Sequence, residues 1–166
     1  MLKAKSKAIG GRPRVDRKVP PMSRVVVSNL VSVDGFFEGP NGELDWHVVE
    51  EEFFDYAKAL LRSAGSLLFG RRTYEHMATH WPAAPSDEIA DRMNALPKIV
   101  SSLLRAGLID EYRMIVNPVI LGRGKPQFRD IPERIGLRLT KTKTKTLRSG
   151  VIILYYEIDG REAGNG

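Results

Sequence analysis

The residues best suited to chemistry sit in Leu67-Leu68-Phe69-Gly70-Arg71-Arg72-Thr73-Tyr74-Glu75. A short apolar strand empties into a glycine turn and then a helix. The first N–H groups of such a helix have no partner within it, and the helix dipole adds positive potential, so the turn is an anion site by geometry. Gly70 lets the backbone come close to a ligand. Arg71 and Arg72 supply forked, charge-assisted donors that match phosphate oxygens. Thr73 can cap the helix. The chemistry is phosphate binding, with the second arginine suited to an additional phosphomonoester. A surface loop carrying two solvated arginines explains the same residues as well, and the stretch alone does not choose.

A second stretch, LVSVDGFFEGPNGELDW over 30–46, leaves the end of the first strand. Open α/β sheets bind ligands at that end of their strands. The loop carries one carboxylate, Asp34, beside Phe36 and Phe37, and closes with Asp45-Trp46. A long loop with aromatic residues suits a lid over a flat ring. In purely structural terms Asp34-Gly35 is a turn, and Trp46 anchors the next helix in the core, the better reading of Trp46 by itself.

The elements that must position these residues alternate along the chain. Residues 24–30 read as a β-branched, apolar strand, and 32–46 as a loop punctuated by Asp34-Gly35, Gly39-Pro40 and Asn41-Gly42. Apolar residues at 49, 53, 56, 57, 60 and 61 predict a helix over 47–62, opened by Glu50-Glu51-Glu52 and stopped by Gly65. A strand over 66–69, a short helix over 73–79 and a helix over 86–94 capped by Ser86 follow. Then come a strand over 97–100, a helix over 101–106 closed by Gly107, a strand over 111–116 and turns over 118–124. Two final strands, 137–147 and 150–158, form a hairpin at the sheet edge. Strands alternating with helices predict an α/β sheet covered on both faces.

Composition narrows the function classes. The 166 residues suffice for one domain with a core, and the chain has no cysteine. Disulfide frameworks, cysteine zinc sites and thiol nucleophiles are excluded, and the composition fits a reducing cytoplasm. No apolar run reaches the roughly 20 residues of a membrane span. The net charge of +6 is unevenly placed: residues 1–24 carry +7 and the remainder −1. The basic character therefore belongs to a leader, read over 1–22 as disordered, ahead of a domain over 23–158 and a flexible tail over 159–166. This weakens a nucleic-acid reading, although Gly11-Arg12-Pro13-Arg14 resembles the core of a minor-groove AT-hook. His76 and His80 lie one helical turn apart but have no carboxylate in a metalloprotease arrangement, so no metal site is expected. The alternating Lys141-Thr-Lys-Thr-Lys-Thr146 reads as a strand with a lysine-bearing outer face.

Taken together, SVDGFFEGPNGELDW, LLFGRRTYE, LLRAGLIDEYRMIVNPVILGRGKPQF and SGVIILYYE resemble, in order and spacing, the dihydrofolate-reductase-like family. The resemblance is to the type that includes the C-terminal reductase domain of the riboflavin-biosynthesis protein RibD, and covers about 24–158. It implies a mixed, mostly parallel sheet flanked by helices with an antiparallel C-terminal hairpin. It implies NADPH as cofactor, with Gly70, Arg71, Arg72 and Thr73 holding its phosphates. Ser32 and Asp34 would lie near the reacting ring, Asp34, Phe37 and Trp46 would face the substrate, and Asp34 would be the catalytic acid group that orients it or helps a proton transfer. The implied activity is hydride transfer to a small heterocycle of the 5-amino-6-(5-phosphoribosylamino)uracil type, in a cytoplasmic homodimer.

The family pattern breaks after Val100. Members of the family run from the strand equivalent to KIV through a further strand ending in a Gly-Gly turn that supports the cofactor pyrophosphate. Here Val100 is followed at once by Ser101, so about one βα unit of roughly 30 residues is missing. This opens a second reading, a family member whose broken cofactor site leaves a non-catalytic binding protein.

Overall fold

The computed structural model describes residues 24–100, 108–129, 131 and 134–158. The leader, the tail and the helix expected over 101–106 lie outside the described residues. The main sheet is built around β1 (Val26–Ser32), β5 (Glu111–Asn117) and β9 (Ile152–Ile158), with β7 (Leu137–Leu139) outermost. β1 and β5 are parallel, in register from Val26 opposite Glu111 to Ser32 opposite Asn117. β9 runs antiparallel to β5 on one side and to β7 and β8 (Lys145–Thr146) on the other. The expected antiparallel C-terminal hairpin closes this edge of the sheet, with β9 on its inner side and β7 and β8 on its outer side. The sequence of β9, IILYYEI, is continuous enough in apolar and aromatic residues to be covered on both faces.

The expected strand over 137–147 is interrupted. A single 3-10 turn, Lys141–Lys143, separates β7 from β8, and Lys143 reaches the buried carboxylate of Glu111 at 3.5 Å. That ion pair pulls the lysine-threonine stripe out of its period-two pattern. The hairpin from β8 into β9 turns at Gly150, whose φ of 84° favours glycine.

The helix α1 (Glu51–Ser63) begins four residues later than its apolar spacing suggested, because His47 and Val48 stay with the preceding loop. It contributes to two apolar clusters. Tyr56, with Phe53 and Leu60 beside it, packs on Ile115, Val151 and Ile153 of the main sheet. Leu61, with Ala57 beside it, joins Ile89, Met93 and Leu96. The second cluster also takes Leu67 and Phe69 from β3 (Leu67–Phe69), and Met77 and Trp81 from α2 (Arg71–Ala83). The remaining members come from α3 (Glu88–Ala95) and the residue after it.

β3 pairs in parallel with β4 (Lys98–Val100), and this pair is a sheet of its own, unbonded to the main one. The helix α2 is longer than the expected 73–79 and runs through Pro82, which sits in its last turn. The cap of α3 is Asp87, accepting from Ala90 N at 2.8 Å; Ser86, expected in that place, donates instead to Asp91. Among the described residues no helix is long and apolar enough to cross a membrane.

Candidate functional site

The site lies where the first loop meets the turn after β5. The expected featureless loops contain a small antiparallel ribbon, β2 (Phe36–Glu38) with β6 (Lys125–Pro126). Backbone bonds tie the two loops on either side of it: Val33 N donates to Val119 O at 2.8 Å, and Gln127 N to Gly35 O at 2.9 Å. Gly124 is required where the strands touch, since a Cβ there would collide with the carbonyl oxygen of Glu38.

Ser32 is buried at the end of β1, where its hydroxyl accepts from Phe36 N at 2.9 Å and so forms the loop's first turn. Asp34 is exposed and spends both carboxylate oxygens on the neighbouring loop, accepting from Leu121 N at 3.2 Å and Gly122 N at 2.7 Å. The Ser32 hydroxyl, followed by these N–H groups, holds the Asp34 carboxyl below its usual range. It is an anion that fastens two loops together and stays ionised at neutral pH.

Phe37 lies under the ammonium of Lys125, 5.0 Å from its ring centre, and Lys125 also pairs with Glu38 at 3.3 Å. Trp46 is half-buried; its indole N–H donates to Glu43 O at 3.0 Å and its ring meets His47 edge-on at 4.3 Å. The His47 ring is partly buried, which lowers its pKa, and its Nε2 atom is buried without a hydrogen-bond partner. Asn117, fully buried at the end of β5, accepts from Val48 N at 2.8 Å and donates to Ile115 O at 3.2 Å. It fixes the end of the loop against the sheet.

At the second stretch, Gly70 itself is the N-cap of α2, in extended backbone, and Thr73 lies inside the first turn without capping it. Gly70 has no side chain to offer, so the N–H groups of Arg71, Arg72 and Thr73 receive no side-chain cap. A Cβ at position 70 would meet nothing within 4 Å, so the chain's own packing does not demand glycine there. The two arginines diverge. Arg71 turns along the helix toward Glu75, 3.8 Å away and exposed. Arg72 has no ion-pair partner among the described residues and lines a cavity of about 590 Å³.

That cavity joins the two stretches. It is lined by the Glu38–Gly42 turn, by Arg123, Lys125 and Arg129, and by Arg72. Four cations face it and one carboxylate, Glu38, which Lys125 already engages. Of the residues singled out from the sequence, Arg72 alone lines the cavity; Phe37 lies beneath its wall, and Ser32 and Asp34 hold that wall in place. Trp46, Arg71 and Thr73 are elsewhere. The residues that sequence reasoning missed are Arg123, Lys125 and Arg129. Their signal was present, a basic run broken by Gly122 and Gly124 in the turns after β5, but it did not say that Arg72 would line the same cavity.

Uncapped amides at the start of α2 and a separate set of four cations lining the cavity are both chemistry that suits anionic groups. Support for the pyrophosphate from a strand between β1 and β3 is not found among the described residues.

The RibD C-terminal domain family matches residues 93–153. The Bacillus subtilis protein YyaP is 26% identical over 186 aligned positions, covering 82% of this chain and 96% of YyaP. That alignment is longer than the 166 residues of the chain, although part of the chain takes no part in it. Several tens of its positions therefore face gaps in this chain. A Shewanella sp. PV-4 protein provisionally assigned to riboflavin biosynthesis is similar in structure, with a TM-score of 0.60, 18% identity, and coverage of 82% of this chain and 99% of that one. RibD of Acinetobacter baumannii is similar with a TM-score of 0.57 and 13% identity, over 82% of this chain and 58% of RibD. In fold, the chain is similar to RibD C-terminal domains of the dihydrofolate-reductase-like type, a mixed sheet flanked by helices.

Proposed function

We propose that this chain is an NADPH-dependent reductase acting on a small heterocyclic substrate, of the pyrimidine type handled in riboflavin biosynthesis. The observation that carries the reading is the cavity that Arg72, from the strand–glycine–helix turn, lines together with Arg123 and Arg129. NADPH supplies the hydride; the chain supplies binding and orientation. The amides of Arg71, Arg72 and Thr73 receive phosphate oxygens at the start of α2, and Arg72 reaches the 2′-phosphate. Arg71 adds to the field from the outside of the helix. Ser32 and Asp34 set the loop that borders the reacting ring. Because Asp34 stays ionised, its role toward substrate is that of a hydrogen-bond acceptor that orients an N–H or O–H group, and the proton comes from solvent. Phe37 supports the loop's inner wall, and Trp46 holds its far end. The protein works as a homodimer, in the cytoplasm.

The test is discrimination between cofactors. Titration calorimetry should show NADPH binding more tightly than NADH, and Arg72→Ala should remove most of that preference by weakening NADPH alone. A preference unchanged in Arg72→Ala would remove Arg72 from the phosphate site.

The division of the sheet between β1 and β3 favours a second reading, in which the fold persists without a working cofactor site and the protein is a binding partner. Absence of NADPH and NADH binding at millimolar concentration would select it.

A further inference from the structure

The cavity lined by Arg72 is built for charge and not for a ring. Its cations come from two distant segments: Arg72 from the first turn of α2, and Arg123, Lys125 and Arg129 from the chain around β6. The rest of the lining is the Glu38–Gly42 turn, Gly124 and Pro126, so among the described residues no aromatic or branched aliphatic side chain borders it. Sites for a nicotinamide, an adenine or a pyrimidine are ordinarily lined mostly by apolar and aromatic groups. A heterocycle finds no such surface here, and a small, multiply charged anion needs none. Gly39, Gly42 and Gly124 also leave the backbone open to close approach.

The balance of charge sets the class of anion. Four cations less one carboxylate, Glu38, leave +3 in a space of about 590 Å³. Arg72 and Arg123 make no ion pair among the described residues. The charge of Arg123 reaches Glu43, whose carboxyl is held low first by Asn41, but Asn41 already occupies both Glu43 oxygens, at 2.8 and 2.6 Å. One phosphate group carries about −1.5 to −2 at neutral pH, and two linked phosphates come to about −3 or more. A single phosphate leaves the cavity positive, and a linked pair balances it.

We propose that this cavity is a binding site for free inorganic polyphosphate, with pyrophosphate as its smallest occupant, and that Glu38 is the internal counter-ion that competes with the anion for Lys125. Arg72 and Arg123 take phosphate oxygens through forked, charge-assisted bonds. The Lys125 ammonium is held by Glu38 at 3.3 Å and lies over the Phe37 ring. Glu38 thereby occupies one cation and adds a repulsive charge, which keeps the anion exchangeable. A bound polyphosphate also excludes NADPH, because both need Arg72. That exclusion rests on the reductase reading; the anion site itself does not.

The experiment is calorimetric titration of the full-length protein with sodium pyrophosphate, compared with orthophosphate at constant ionic strength. Pyrophosphate should bind at least about tenfold more tightly. Arg72→Ala and Arg123→Ala should each weaken it by about 10–100-fold, the range of a lost charge-assisted hydrogen bond. Arg148→Ala removes the same charge from an exposed position paired with Glu52, and should weaken it by less than about twofold. Glu38→Gln should tighten it by about threefold or more, a gain that damage to the fold does not produce. Saturating pyrophosphate should weaken NADPH binding by about tenfold or more. Equal affinity for the two anions, equal losses in Arg72→Ala and Arg148→Ala, or weaker binding in Glu38→Gln would overturn the proposal. Binding of NADPH without binding of pyrophosphate would also overturn it and leave the reductase reading standing. Binding of pyrophosphate without binding of NADPH would support the anion site and remove that reading. NADPH binding unchanged by saturating pyrophosphate would overturn the exclusion.

Discussion

Replacing Asn117 by alanine removes one side chain that joins three segments at the floor of the candidate site. Its Oδ1 accepts from Val48 N at 2.8 Å, and its Nδ2 donates to Ile115 O at 3.2 Å with a longer reach to Val31 O at 3.5 Å. The residue is 0% exposed, so water does not replace it without rearrangement. Leaving the Val48 N–H without an acceptor costs about 1–3 kcal/mol. The two carbonyls lose less, since each keeps a second lone-pair direction, and the vacated volume adds about 1 kcal/mol. The sum is about 2–4 kcal/mol. With an m-value of about 2 kcal/mol/M, the urea midpoint should fall by about 1–2 M. Asn94→Ala is the control, because Asn94 is exposed and makes one bond, to Trp81 O at 3.1 Å; its midpoint should move by less than about 0.4 M. Equal shifts for the two variants would refute the claim that Asn117 fastens the loop. Asn117→Ala should also raise proteolysis between 38 and 48, where the released segment lies.

Glu111 gives a pH prediction. Its side chain is 2% exposed and is met by Arg113, Arg24 at 3.2 Å and Lys143 at 3.5 Å. Burial works to raise its pKa, but Arg113, then Lys143 and Arg24, outweigh burial and hold the carboxyl below 4.5. A depressed folded-state pKa contributes stability above the unfolded value and loses it as pH falls through the folded one. The stability advantage of wild type over Glu111→Gln, measured by urea unfolding, should therefore be constant from pH 8 to 6 and shrink below about pH 4.5; an advantage that grows on acidification would contradict the assignment. Gly124→Ala should separate β2 from β6, since its Cβ meets Glu38 O. By protease sensitivity of the 33–45 loop it should resemble Asn117→Ala, and digestion at the wild-type rate would show that the ribbon tolerates a side chain there.

Much of this architecture is legible in the sequence because it rests on local patterning. The apolar spacing through Phe53, Tyr56, Leu60 and Leu61 marks α1, and the run into Gly70 marks the β3–α2 turn. What the chain does not display locally is pairing between distant segments. The β2–β6 ribbon joins residues more than eighty positions apart, and a strand of two or three residues has too little alternation to be seen. Separation in sequence likewise hid that Arg72 lines one cavity with Arg123 and Arg129. The break in Lys141–Lys143 was masked by a period-two pattern that the Glu111 ion pair overrides. The break after Val100, by contrast, was visible as a departure from the family pattern, and the divided sheet is its structural counterpart.

The most direct test of the reductase reading is a calorimetric titration of the full-length protein with NADPH, repeated with Arg72→Ala and Arg71→Ala. Micromolar binding is predicted, weakened by about 10–100-fold in Arg72→Ala, the range of a lost charge-assisted hydrogen bond, and by less in Arg71→Ala, whose side chain is already turned toward Glu75. Wild-type protein that takes up no NADPH at millimolar concentration would contradict it.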